Sequence, residues 1–586
     1  MNTMNNYFKK IWGVDFEFFA KEGNNPVPIC LVAREFFSGK TIRLWRDELL
    51  NLRAPPYETG EDTLFVAYYA SAEIGCHLAL GWALPTYVLD LCIEFKNLTN
   101  GIAMPFSEIY KRKLGKNLIS ALLYYGLDTI GYDEKKSMID LIMRGGPWNA
   151  EEQNAIKDYC ESDVQALNIL FPKMIDKIQI KPALWRGEYM KAVAVMESNG
   201  IPVDAVTLHK ICGNIDQIKE MLIREMEEKF SLSIFEGKTF KHDKFNAWTI
   251  KENIKWPKLP SGKLDLKDES FKEMALIHPQ VKPIRELRYI LGKMKLHELS
   301  VGTDNRNRCM LSAFSSKTGR NQPSNQKSIF GPAIWIRNMI QPPVGYCLAY
   351  MDWEQQEFGI AAALSNDSNM RKAYESGDPY LEFAKQTGFI PADGTKETHR
   401  ETRELFKKCA LGVLYGMGIK SMGASLESPE KAEELLRLHK SVYPVFWKWR
   451  DNILNSANIR CELRTVFGWN MKVSSDTKPT TVMNFPMQAN GAEMLRIACI
   501  ESIRRGVKVC MPVHDALLIE APIDGIHDSI KITVNGMLKA SKIVLDGFEL
   551  RTEVKIIEHP QRFSDPRGDL MWNLIDGILK NIPDVN

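Results

Sequence analysis

Paired cysteines, long apolar runs and a strong excess of either charge are all missing from this 586-residue chain. Its eleven cysteines form no C-x-x-C and no paired spacing with histidine, so neither a zinc site nor a disulfide framework is expected. A reducing, cytoplasmic setting fits that usage. The N-terminus, MNTMNNYFKKIWGVDFEFF, lacks a signal peptide's apolar run and small-residue cleavage site, and no window is apolar for long enough to span a membrane. Repeats and low-complexity segments are absent too. With 45% hydrophobic and 25% charged residues, the composition argues against disorder or a fibrous repeat.

What is present is a chain too long for one core, and so a multi-domain one. Its net charge of +3 hides an uneven distribution. Eight lysines lie between Lys238 and Lys267, interleaved with Phe240, Phe245, Trp248 and Trp256. A solvated face is the ordinary reading of that run. From Asn305 to Met351 the residues Arg306, Arg308, Lys317, Arg320, Lys327 and Arg337 meet no acid, which suggests a track for a polyanion. Along the chain, short β-rich runs (Ile11 to Phe19, Thr63 to Tyr68) alternate with helical patterns such as Ala150 to Leu170, an α/β unit. Long helices are expected over Val206 to Phe230 and Lys267 to Leu299, then strands, a helix-rich insertion from about Asn366 to Ala457, and a second strand-rich part.

In GVDFEFF, Asp15 and Glu17 lie two apart on an expected strand, so both carboxylates share a face. Such a pair is an exposed polar face unless a cation joins it. Glu73 follows the apolar strand of LFVAYY and begins a helical stretch. A further helix opens at Asn149, an N-cap with Glu152 three residues on, and carries Tyr159 and Asp163 one turn apart. Together these residues resemble the DEDDy class of 3′-5′ exonucleases, whose fold is ribonuclease H-like. The resemblance makes Asp15, Glu17, Glu73 and Asp163 ligands of two divalent ions, Mg²⁺ or Mn²⁺, with Tyr159 orienting the attacking water. Glu73 stands where the class normally has Asp.

Two later segments also end in acids. Tyr346 to Met351 reads as a buried strand ending at Asp352, and VKVCMPVHDALLIEAP as a hairpin with His514 and Asp515 at its tip. Between them, Arg403, Lys407, Leu411 and Tyr415 fall at four-residue steps on one helix. That stripe spans roughly 18 Å, comparable with an extended nucleoside triphosphate. An amphipathic helix explains the spacing too, but would more often place apolar residues on such a stripe.

From about Met190 onward the chain resembles family A DNA polymerases, through MESNGIPVD, TGRNQPSNQ, DWEQQE, the Arg-x3-Lys-x7-Tyr-Gly pattern, NFPMQANGAE and VHDA in order. The resemblance implies a right-hand fold: nuclease domain 1–180, connector and helical thumb 181–304, palm with an antiparallel sheet 305–365 and 471–586, and helical fingers 366–470. It makes Asp352 and Asp515 ligands of two Mg²⁺ ions, and Arg403 and Lys407 contacts of the triphosphate. Gln355, Leu411 and Tyr415 fall in the nucleotide pocket, and Glu357 closes on the sugar's 2′ position. Arg320, Asn325, Asn484, Gln488 and His514 contact primer and template. The implied activity is primer extension with deoxynucleoside triphosphates on primer-template DNA, with proofreading, by a monomer. Leu411 stands where Phe or Tyr is frequent, Ala516 where Glu usually follows the aspartate, and Gly359 where many members have Arg. These departures resemble phage-encoded relatives, which would place the protein in a host cytoplasm, and no 5′ nuclease domain is expected ahead of the exonuclease. A single-subunit RNA polymerase, an inactive DNA-binding or processivity subunit, and a nuclease whose C-terminal part only holds substrate are the competing readings.

Overall fold

The computed structural model describes residues 7–108, 111–128, 132–294, 298–331, 333–426 and 428–581. Its N-terminal part is built on strands β1 (Lys10–Phe19), β2 (Val27–Glu35), β3 (Thr41–Trp45), β4 (Thr63–Ala67) and β5 (Tyr87–Asp90). They lie in the order β3-β2-β1-β4-β5, with β1, β2 and β3 antiparallel and β4 and β5 parallel to β1. Helices α1 (Ser71–Ala79), α2 (Leu91–Leu98), α3 (Tyr132–Met143) and α4 (Ala150–Met174) belong to this part. The alternation in β1 sends Trp12, Val14 and Phe16 into the main core. The opposite face meets α4, where Tyr159, Cys160 and Val164 pack on Ile29, Cys30 and Val32. Asn149 caps α4 as its sequence suggests: its side chain accepts from the Glu152 N–H, and Glu152 accepts from the Asn149 N–H, each at 2.9 Å.

Helix α5 (Ile180–Asn199) leads away and ends at Gly200. Each of the two long helices expected next is two. The first divides into α6 (Ala205–Gly213) and α7 (Ile215–Lys229), because the Asn214 side chain turns back to donate to the Lys210 carbonyl at 2.8 Å. The second divides into α8 (Asp268–Ile277) and α9 (Val281–Lys293), because Pro279 forces His278 into an extended backbone. Residues 295–297 of that expectation lie outside the described residues. The aromatics of the lysine-rich run turn inward. Phe245, Trp248 and Trp256 join Phe271 in a separate core, while Lys238 pairs with Asp216, and Lys241 and Lys244 with Glu236.

The second sheet is antiparallel and holds β6 (Tyr346–Trp353), β7 (Lys508–Val513), β8 (Ala516–Pro522) and β9 (Thr552–Glu558) in the order β7-β8-β6-β9. After β6 comes α10 (Gln356–Ser365), and the helix-rich insertion that follows includes α11 (Pro379–Gln386) and α12 (Arg400–Leu414). The C-terminal part is not strand-rich as expected. It opens with α13 (Pro479–Arg504), and two more helices (Ile526–Val544, Pro566–Lys580) flank β9. Much of α13 is buried, so no polar face marks it as a helix. Among the described residues no helix is long and apolar enough to cross a membrane, and the eleven cysteines are free thiols.

Candidate active site

The second sheet brings its acids together. Asp352 lies directly opposite Ala516 of β8, next to the tip of the β7-β8 hairpin. The tip is the pair His514 and Asp515, with His514 in a left-handed backbone (φ 55°) and the Asp515 carbonyl accepting from the Trp353 N–H at 3.4 Å. The Asp352 and Asp515 carboxyl groups lie near enough for each to influence the other's protonation. Burial, then Asp515 and then Glu553, push the Asp352 carboxyl up to about 7. Burial also raises Asp515, against the pull of Arg320. One Asp352 oxygen, Oδ1, is buried with no hydrogen-bond partner. An unpaired buried carboxylate oxygen beside a second acid is costly in water-free surroundings, and a hard divalent cation is the ligand that relieves it.

Around these acids stand several of the expected residues. Gln355 takes a left-handed backbone (φ 45°) at the start of α10, and its side chain accepts from Arg551 at 3.1 Å. Glu357, two residues on, lies 3.6 Å from Arg320, and its charge adds to burial in raising the Tyr415 hydroxyl. Arg320 and His514 line one small cleft of about 80 Å³ with Asn321 and Arg496. Helix α12 ends at Tyr415 because Gly416 adopts φ 69°, a conformation open to glycine at no steric cost. Asn484 donates to the Tyr415 carbonyl at 3.4 Å, and its Oδ1 is buried without a partner. Gln488 is half-buried one turn along α13, Asn325 is exposed on the loop after Arg320, and Leu411 packs half-buried against the core.

The stripe on α12 is not uniformly free. Arg403 is buried and donates to Asp378 and Glu404, each at 2.5 Å. Lys407 forms no ion pair among the described residues and lies 5.9 Å from the Tyr380 ring, with Arg403 at 5.5 Å. Tyr380, on α11, is buried close enough to Glu357 and Tyr415 to feel their charges. It connects the cations to the acids, and nothing in DPYLEF beyond the helix start at Asp378 and Pro379 signals that role. Gly359 has a packing reason: a Cβ there would meet Leu550 at 2.5 Å and Tyr374 at 2.9 Å, leaving no room for arginine.

The uncompensated basic stretch 305–351 is compensated from afar. Arg306 lies 2.5 Å from Glu520 and Arg337 2.7 Å from Asp565, both largely buried pairs, and Lys327 pairs with Glu22. Arg308 is held by Asp304 at 2.7 Å. The expected polyanion track is therefore mostly internal ion pairing, because sequence neighbours do not show which acids fold against a segment.

The N-terminal acids form a second cluster. Asp15, Glu17 and Asp163 each offer a carboxylate oxygen within 4.8 Å of the others. Burial first, then Asp163, pushes the Asp15 carboxyl up to about 8, while the Cys160 thiol, 3.3 Å from its Oδ2, opposes. Burial and Asp15 raise Glu17 well above its ordinary value. Glu73 is not part of this three-acid group. It sits in the first turn of α1, 4% exposed, with Oε2 buried and unpartnered, and burial, then Asp15, raises its carboxyl well above the ordinary value. Tyr159 joins through Lys135, whose ammonium is 3.0 Å from Asp163 and 5.4 Å from the Tyr159 ring. Lys135 was invisible in the sequence, being one of several charged residues in DEKKSM.

Comparison with known proteins agrees with this geometry. Residues 261–558 match DNA polymerase family A, just over half of the chain. DNA polymerase I of Aquifex aeolicus is 25% identical over 491 residues, 77% of this chain and 81% of that protein. The thermostable DNA polymerase I of Thermus caldophilus is 26% identical over 220 residues, 35% of this chain, which spans 26% of that relative's length. The POL domain of Pol1 from M. smegmatis, in complex with DNA primer-template and dNTP, superposes with a TM-score of 0.70 at 16% identity, covering 95% of this chain and 97% of that one. On the family match, the chain belongs to DNA polymerase family A, whose members are DNA-directed DNA polymerases.

Proposed function

We propose that this chain extends a primer 3′ end with deoxynucleotides on a DNA template and, through its N-terminal part, removes mismatched 3′ ends as a 3′-5′ exonuclease on a ribonuclease H-like fold. The observation that carries the polymerase reading is the placement of Asp352 directly opposite Ala516, next to Asp515 at the hairpin tip, with Arg320 and Glu357 3.6 Å apart nearby. The donors at both clusters are carboxylate oxygens, which suit Mg²⁺ or Mn²⁺. Asp352 and Asp515 would hold ions at one site, and Asp15, Glu17 and Asp163 at the other, with Glu73 behind them. Such ions activate the attacking hydroxyl or water and neutralise charge on the departing group.

The side chains account for the rest. Lys407 meets triphosphate charge directly, and Arg403 does so by exchanging Asp378 for phosphate. Tyr415 and Leu411 form the nucleotide pocket with Gln355, and Glu357 occupies the space a ribose 2′-OH would need. Arg320, Asn325, Asn484, Gln488 and His514 read the primer and template strands from the minor groove. Tyr159 orients the water at the nuclease site. The M. smegmatis neighbour's ligands, a DNA primer-template and dNTP, support the same substrates here. The departures at Leu411, Ala516 and Gly359 are the basis for a phage-type replicative role, in a host cytoplasm and as a monomer.

Primer extension with Mg²⁺ and the four deoxynucleotides tests the reading. Extension by the unaltered protein and none by Asp352→Asn is the expected pair of results; extension retained in Asp352→Asn rejects it.

A further inference from the structure

Ala516 follows Asp515 with a fully buried methyl group, so no carboxylate reaches the acid pair from that position. Another strand brings one. Glu553 of β9 is the direct antiparallel partner of Asp352, on the side opposite Ala516. Directly opposed residues of an antiparallel pair project to the same face with Cβ atoms about 4.5–5.5 Å apart. Glu553 is therefore a neighbour of Asp352 at the end of the sheet where Asp515 also lies. Its charge is one of those that hold the Asp352 carboxyl above its ordinary value.

The contrast with nearby acids is informative. Glu354 is held by Arg551 at 3.1 Å and Glu520 by Arg306 at 2.5 Å, whereas Glu553 is exposed and forms no ion pair among the described residues. Asp515 at the hairpin tip and Glu553 across the β6-β9 pair flank Asp352, whose Oδ1 has no partner, and like charges so placed repel unless a cation is shared.

We propose that Glu553 is a third carboxylate of the polymerase cation site, delivered by β9, and that it raises the affinity of that site for divalent ions. The inference rests on the polymerase reading of Asp352 and Asp515. Its range is the metal requirement of the reaction, and the rate at saturating metal is set elsewhere.

The test uses the full chain carrying Asp15→Ala and Glu17→Ala, so that the N-terminal cluster does not bind the probe. Mn²⁺ binding is titrated by electron paramagnetic resonance, and primer extension is measured against Mg²⁺ concentration. Glu553→Gln is expected to weaken Mn²⁺ binding and to raise the Mg²⁺ needed for half-maximal extension, each by roughly 3- to 10-fold, as for one partly exposed charge. The rate at saturating Mg²⁺ should stay within about twofold of the parent, the remaining two acids still supplying the ion-assisted step. Glu558→Gln, on the same strand opposite Cys347 and also exposed, should change neither. Loss of Mn²⁺ binding in Asp352→Asn with none in Glu553→Gln overturns the role of Glu553 alone. No loss in either overturns the polymerase site as well. A slower rate at saturating Mg²⁺ with unaltered affinity also overturns the proposal.

Discussion

Arg320 and Glu357 face each other across 3.6 Å, one from a loop and the other from the first turn of α10. The Tyr415 hydroxyl, at the end of α12, lies near enough to be raised by the same carboxylate. On the proposed reading the length of Glu357, more than its charge, would exclude a 2′-OH.

Glu357→Ala should therefore lower discrimination between deoxy- and ribonucleotides by about tenfold or more, equivalent to ~1.4 kcal/mol or more of differential transition-state binding. Glu357→Gln keeps the length and should keep most of the discrimination. The ratio of kcat/KM for matched dNTP and rNTP pairs checks both, and unaltered selectivity in the alanine variant removes the gate.

The two acidic clusters should separate by mutation. Asp352→Asn is expected to reduce extension by roughly a thousandfold while excision and DNA binding persist, and Asp15→Ala to do the reverse, since on the proposed reading each removes a carboxylate that would hold metal. Parallel extension and mismatch-excision assays on the same preparations read both effects.

Lys135 holds Asp163 at 3.0 Å and lies beside the Tyr159 ring. Lys135→Ala should slow excision by about tenfold by releasing both side chains from their positions, a loss in the range typical of misplacement. Extension should be unaffected, and Lys135→Arg should recover part of the excision rate.

The N-terminal part grips the loop that carries Arg320. Asn100 donates to the carbonyls of Lys317 and Asn470 at 2.7 and 2.8 Å, and Lys96 to that of Ala313 at 2.9 Å. Asn100→Ala removes both bonds, leaving the Lys317 carbonyl with the Trp469 indole N–H alone, and should cost about 1–3 kcal/mol of stability. If the grip positions Arg320, KM for primer-template rises while kcat is kept; a fall in kcat alone contradicts it.

Glu197 is half-buried, accepts from the Leu311 N–H at 2.7 Å, and is pushed by desolvation from 4.5 up to about 7. A carboxyl raised on folding binds its proton more tightly in the folded state, so its contribution to stability falls as pH rises from about 4.5 to about 7. Glu197→Gln abolishes that slope. The variant should exceed the wild type in stability at pH 8, by on the order of 3 kcal/mol at most, and match it near pH 4. Thermal unfolding across this range decides, and parallel profiles for the two proteins refute the assignment.

Local patterns were legible where one stretch of chain suffices. The β1 alternation, the Asn149 cap, the hairpin presenting Asp515 and the four-residue steps of α12 all follow from short-range sterics and spacing. Legibility failed wherever a partner came from far along the chain. Arg306 and Arg337 read as free cations and are neutralised by Glu520 and Asp565. The engagement of Arg403 by Asp378, 25 residues away, was likewise not visible in the sequence. Helix α13, buried over much of its surface, carries no periodic signal.

The amino-acid order by itself determined which residues could serve: the acids at strand ends and tips, the cations on one helix, the glycine that ends it. Those choices depend on backbone sterics and on repeats of two or four residues. Only the tertiary structure decided which charges remain available, setting Glu553 opposite Asp352, Lys135 against Asp163 and Glu73 near Asp15. Coulomb energies depend on distance through space and on burial, and neither quantity is written in the order of residues along a chain.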